Sequence, residues 1–176
     1  MKTLFYVLGF IAFCLFSFFL IGVIFPKSEY ENTIVVNRSI DKCWKVFSDD
    51  TLIYDWMPGL KKIEYLKGTE MTAGAEFKMH LEEAGQSYVI TEKVNEVRMP
   101  ELYTFTINNE VLTNNVKFQF RETAPYTTEI KSINSVEAKN WFLKSLFYFL
   151  ESDFQEQDLK TLTNFKNLVE SDVLIQ

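Results

Sequence analysis

At 176 residues the chain has room for one domain of ordinary size plus an appendage, and not for two full domains. A formal net charge of -6 excludes the basic stripe that a general nucleic-acid binder uses to neutralise phosphates, so no nucleic-acid partner is expected. With 47% hydrophobic and 16% aromatic residues, including 17 Phe, the chain is too apolar to be disordered, and much of that Phe needs lipid or a core.

The first element is apolar throughout. From Leu4 to Phe25 there is no charge, and Tyr6 and Ser17 are the polar side chains. As a helix rising ~1.5 Å per residue it spans roughly 33 Å, enough for the ~30 Å hydrocarbon core of a bilayer. Residues 1–25 therefore read as an N-terminal transmembrane anchor, which makes the lipid bilayer a partner and the chain a single-pass membrane protein. A cleaved signal peptide is the competing reading, with Lys2 as its positive region. The apolar run is longer than the usual ~7–15 residues, however, and no A-x-A-like site follows it. Pro26 ends the helix, and residues 26–31, with Lys27, Glu29 and Glu31, read as a short tether. Lys2 before the helix and Lys27, Arg38, Lys42 and Lys45 after it leave both orientations open.

A soluble domain is expected over 32–171. Asn32–Arg38 alternates around Ile34 and Val36, a first strand. Ser39 is placed to cap a short helix carrying Cys43, Trp44, Val46 and Phe47. Asp49, Asp50 or Thr51 can cap a second, which ends at Met57-Pro58-Gly59. Six strand-like segments follow, near 60–67, 75–83, 87–97, 101–109, 112–122 and 126–136. Phe77, Met79 and Leu81 alternate with Lys78, His80 and Glu82, and Val116, Phe118 and Phe120 with Lys117, Gln119 and Arg121. Tyr103, Phe105 and Ile107 give a third apolar face, the pattern of an antiparallel sheet with one wet side. From Tyr126 onward there is neither Gly nor Pro, and Trp141, Phe142, Leu146, Phe149, Leu150, Phe154, Leu159, Leu162, Phe165 and Val169 recur at helical spacing. A long helix over 136–171 is expected to cover the apolar sheet face, with 172–176 as a tail. The Trp141–Phe154 stretch is more apolar than one helix face needs, so its surplus is expected against lipid or at a ligand entrance.

This order, with Asp49-Asp50-Thr51-Leu52-Ile53-Tyr54-Asp55-Trp56-Met57-Pro58-Gly59 and the later Leu66-Lys67-Gly68, resembles the polyketide cyclase/dehydrase and lipid-transport branch of the START/Bet v 1-like (SRPBCC) superfamily. The resemblance covers about residues 31–170. It implies an α+β helix-grip fold, a curved seven-stranded antiparallel sheet gripping the C-terminal helix around a cavity. It also implies a hydrophobic ligand such as a lipid, isoprenoid or polyketide-like molecule, with cyclase activity in some members and no catalytic motif common to all.

Within such a cavity the candidate lining residues are Trp56, Phe77, Met79, Leu81, Tyr103, Phe105, Phe118, Phe120 and Trp141, any of which is equally suited to a plain core. Ser132 and Asn134 share the phase of Ile130 and Val136. They are candidates to orient a ligand, or else ordinary strand residues. Glu92 is in phase with Tyr88, Ile90 and Val94 and is the one catalytic candidate, an inward carboxyl of raised pKa. Its ordinary reading, a solvated strand carboxylate, is the more expected, because Glu is seldom fully buried. His80, out of phase with its apolar neighbours, is expected to face solvent. One histidine and two separated cysteines, Cys14 and Cys43, offer no metal set and no intrachain disulfide, and no cofactor is expected. The function expected is a membrane-anchored binding or transport module for a hydrophobic small molecule. The alternatives are a cyclase/dehydrase-type enzyme using Glu92 or a cavity Tyr, and a structural or sensor domain with no ligand.

Overall fold

The computed structural model describes residues 2–83 and 85–171, so the tail expected at 172–176 lies outside the described residues. The elements in chain order are α1 (Lys2–Ile24), β1 (Ser28–Val36), α2 (Ile40–Phe47), α3 (Ile53–Trp56), β2 (Leu60–Lys67), β3 (Glu76–Glu83), β4 (Gln86–Arg98), β5 (Leu102–Asn108), β6 (Leu112–Ala124), β7 (Thr127–Ala138) and α4 (Trp141–Glu170). The strands form one antiparallel sheet in the order β1-β7-β6-β5-β4-β3-β2, and the long α4 packs against it. This is the α+β helix-grip arrangement, preceded by an apolar helix.

Local chemistry explains most of the boundaries. The backbone N–H of Phe25 still donates to the Ile21 carbonyl at 2.8 Å; Pro26 then has no N–H to offer and α1 ends. Ser39 caps α2, its hydroxyl accepting from the Lys42 N–H at 3.4 Å. The second cap differs from expectation. No side chain caps α3, which begins behind Leu52. Asp49 instead closes a turn, accepting from the Thr51 N–H at 2.9 Å and from its hydroxyl at 2.5 Å. Asn140 caps α4 by accepting from the Leu143 N–H at 2.9 Å. That helix starts later than expected because Val136 and Ala138 are still paired with Asn114 and Leu112 of β6.

The first strand corrects the tether. β1 begins at Ser28, which pairs with Val136, so residues 28–31 belong to the sheet and only Phe25–Lys27 separate helix from strand. The charges that suggested a tether belong to an edge strand. Glu29 and Glu31 point outward, while Ser28 and Asn32 on either side of them are buried and Tyr30 between them is half-buried.

α1 is long and apolar enough to cross a membrane, a property that a signal sequence shares, and Gly22 is the buried residue within it. Its last two turns lie along the start of α4. Phe18 meets Phe142 and Phe149 at ring-centre distances of 5.4 and 6.4 Å, Phe25 stacks on Tyr148 at 4.7 Å, and Phe19 meets Trp141 edge-on at 5.6 Å. At the closest point the Gly22 N–H donates to the Ser145 hydroxyl at 3.1 Å. A Cβ on Gly22 would stand 2.5 Å from that oxygen and 2.8 Å from the Ser145 backbone nitrogen, so the helices approach this closely only with glycine there. The apolar surplus of the Trp141–Phe154 stretch thus goes in part to α1.

Candidate functional site

Between the sheet, α3 and α4 lies a cavity of about 360 Å³, within the ~300–1,000 Å³ of small-molecule sites. Period-2 geometry builds its walls. Phe77 and Met79 of β3, Tyr103 and Phe105 of β5, and Val116 and Phe118 of β6 are alternate residues of their strands, and all face inward. Trp56 closes one end from α3. Phe154, Asp158 and Thr161 of α4, spaced by four and then three residues, present one helix face to the same space.

Of the residues singled out from the sequence, Trp56, Phe77, Met79, Tyr103, Phe105, Phe118 and Asn134 line this cavity. Leu81, Phe120 and Ser132 are buried in the wall without lining it. Phe120 packs edge-on against Trp44 and Phe47 at 5.4 and 5.2 Å. Trp141 is a correction. It is 57% exposed and lies against Phe19, because the first turns of α4 run along α1 rather than over the sheet. His80 does not line the cavity; its ring stands 3.5 Å from the Glu64 carboxylate at a partly exposed position.

Glu92 is the second correction, and a larger one. The solvated reading fails, since the residue is 4% exposed and its side chain lines the cavity. The Tyr103 hydroxyl donates to Glu92 Oε1 at 2.9 Å. Burial penalises the ionised form and pushes the carboxyl up to about 8, against the opposing pull of the Tyr103 hydrogen bond. The Tyr103 phenol is itself raised, by burial first and by the neighbouring carboxylates second.

Two further acidic groups sit at the same end. Asp50 lies in the α2–α3 loop, where its backbone N–H donates to Glu70 Oε1 at 3.1 Å and its carboxyl accepts from the Tyr65 hydroxyl. Partial burial and the adjacent Glu70 push Asp50 up to about 7. At the α4 side of the cavity, Asp158 joins three elements. Asn32 of β1 donates to its Oδ2 at 2.7 Å and Ser132 of β7 to its Oδ1 at 3.0 Å. Asn134 in turn donates to Ser132 at 2.9 Å, and Asn114 of β6 to Asn134 at 2.9 Å. Burial still raises the Asp158 carboxyl despite these donors. Sequence reasoning misses Asp50, Glu70, Asn32 and Asp158 as site residues; Asp50 enters it only as a helix-cap candidate and part of the family stretch, and Asn32 only as a strand end. Asp158 had a findable signal: it falls four residues after Phe154 and seven before Phe165, on the apolar stripe of α4.

The family model described as polyketide cyclase / dehydrase and lipid transport matches residues 27–166. Among solved structures, the chain is similar to the Zhui aromatase/cyclase from Streptomyces sp. R1128, at 14% identity and a TM-score of 0.69, over 82% of this chain and 94% of that one. It is similar to Ara h 8.0201 at 18% identity and a TM-score of 0.65, over 81% and 97% of the two chains. The di-domain ARO/CYC StfQ from the steffimycin biosynthetic pathway matches at 10% identity and a TM-score of 0.65, over 82% of this chain and 51% of that one. No curated protein sequence matches the chain. At these identities the structural likeness is one of fold.

Proposed function

The chain belongs to the polyketide cyclase/dehydrase and lipid transport family, and from that premise we propose that it is a membrane-anchored module that binds or carries a hydrophobic small molecule. The observation that carries this reading is the cavity, about 360 Å³ in volume and walled by Phe, Met, Ile, Val and Trp side chains with a few convergent polar groups. A structural or sensor role without a ligand would go with a filled interior. The anchor supports a bilayer source for the ligand. Asn109 and Leu112 line the cavity at the β5–β6 turn, and the Val111 carbonyl of that turn accepts from the Lys139 N–H at 2.9 Å. Lys139 is two residues before Trp141, which rests on Phe19 of α1. These contacts run from the β5–β6 end of the cavity toward α1, which supports the anchored reading.

The test is photolabelling of the full chain in zwitterionic-lipid nanodiscs with a photoactivatable long-chain alcohol. Labels are expected on peptides of β4, β5 and β6 around Ile90, Phe105 and Val116. Labels confined to α1 and the first turns of α4 would overturn the reading.

One observation favours a cyclase/dehydrase-type reaction as a second reading. Glu92 and Tyr103 form a hydrogen-bonded acid pair inside the cavity, and a carboxyl near 8 suits proton transfer at neutral pH. Incubation with a poly-β-ketone is then expected to yield an aromatic chromophore that is lost in Glu92→Gln. Turnover unchanged in that variant would exclude Glu92 as the catalytic residue.

A further inference from the structure

The charge-bearing side chains that line the cavity are all acidic. Asp50, Glu70, Glu83, Glu92 and Asp158 line it, and among the described lining residues there is no Lys, Arg or His. The basic side chains of the sheet are spent elsewhere. Lys61 and Lys93 pair with Glu82 and Glu76, and Lys131 pairs with Glu31.

A carboxyl taken out of water normally finds a cation or several donors, since an uncompensated buried charge is costly. Asp158 has its donors in Asn32 and Ser132. Glu92 does not. It is 4% exposed, the Tyr103 hydroxyl satisfies Oε1, and among the described residues no donor reaches Oε2. Its nearest charged company is Asp50, another acid. The side chain is thus held facing an apolar space; once ionised it has an acceptor atom unfilled and, in Asp50, an acidic neighbour in place of a cation.

We propose, on the binding reading above, that the ligand is a long-chain amine or another apolar molecule carrying a protonated nitrogen, held with that nitrogen against Glu92 and Asp50. A fatty acid or a phosphate-bearing lipid would bring a second negative charge into a space that offers no cation to pair with it. An ammonium supplies both the missing donor for Glu92 and the missing counter-charge for Asp50.

The experiment is competition for the photolabelled cavity of the full chain in zwitterionic nanodiscs, using dodecylamine, dodecanol and dodecanoate. Dodecylamine is expected to displace the alcohol photoprobe at a bilayer concentration at least tenfold below that of dodecanoate, with dodecanol between them. In Glu92→Gln, which keeps the shape and an acceptor for Tyr103, the advantage of the amine over dodecanol is expected to shrink at least threefold. Equal displacement by all three, or preference for dodecanoate, would overturn the charge inference and leave the binding reading intact. Absence of cavity labelling by the photoprobe would overturn the binding reading itself. An amine preference undiminished in both Glu92→Gln and Asp50→Asn would remove these two residues from the proposal.

Discussion

Replacing Glu92 by Gln should make the protein more stable at alkaline pH, an unusual outcome for a buried polar residue. The folded chain holds the Glu92 carboxyl at about 8 because burial disfavours its ionised form. In the unfolded chain the same group titrates near 4.3. Between those values the folded state binds a proton that the unfolded state has released, so stability falls as pH rises, by about 1.4 kcal/mol per pH unit. From pH 5 to pH 8 the loss reaches up to about 4 kcal/mol, roughly 8–16 °C in Tm for a chain of this size. Gln has no proton to lose, and its amide oxygen still accepts from the Tyr103 hydroxyl. Thermal unfolding of the full chain in detergent, followed by circular dichroism from pH 5 to 9, should show two curves whose separation widens steadily from pH 5 to about pH 8 and stays constant above it. The variant should be the flatter. Asp50 is common to both proteins, so only its coupling to Glu92 enters their difference. Parallel curves would refute the argument that Glu92 is buried without a counter-charge.

Gly22→Val should separate α1 from α4, because its side chain meets the Ser145 backbone; cleavage by added protease near residues 25–28 should accelerate in nanodiscs, and an unchanged rate would contradict the seam. Asp158→Ala leaves the Ser132 hydroxyl and one N–H of Asn32 unpaired, the Asn32 amide keeping its bond to the Gln155 carbonyl, and should cost about 1–3 kcal/mol, read as a fall in Tm, whereas Asp158→Asn should cost less. Cys43 is fully buried and its thiol is pushed up to about 11, chiefly by burial. In a Cys14→Ser chain it should react with a thiol reagent only at the rate of unfolding, and fast labelling of the folded protein would contradict its placement.

The architecture was legible because each element carried its own period. Phe77-Met79-Leu81 and Val116-Phe118-Phe120 are clean alternations, and the Gly- and Pro-free segment after Tyr126 is nearly free of breakers. What failed to be legible had physical reasons. In β4 the register shifts between Val94 and Glu96, so Glu92 and Val94 are buried while the inward phase resumes at Val97. A single period cannot follow a strand across such a bulge. Glu92 lies before it, and its inward phase with Ile90 and Val94 was obscured by the alternate phase Val89-Thr91-Lys93, which is nearly as apolar, and by the rarity of buried Glu. β1 lies at the sheet edge, where outward Glu29 and Glu31 look like a charged linker. Helical spacing points Trp141 inward because it reports that a residue is apolar, not which distant element it meets; its partner Phe19 lies in α1. The cavity itself has no local signal. Phe105, which lines it, and Phe120, which is packed behind it, read alike in sequence, and only the relation of sheet to α4 leaves a gap beside one of them.

The central claim is that the cavity holds an apolar small molecule drawn from the membrane. Native mass spectrometry of the full chain extracted from membranes tests it most directly, with Ile107→Trp as the comparison, since Ile107 lines the cavity at a half-buried position and a larger side chain there fills the space. The account predicts a one-to-one adduct on the wild-type chain that is absent from a folded Ile107→Trp chain. A bare polypeptide mass for the wild type, with no adduct formed on adding a membrane lipid extract, would contradict it.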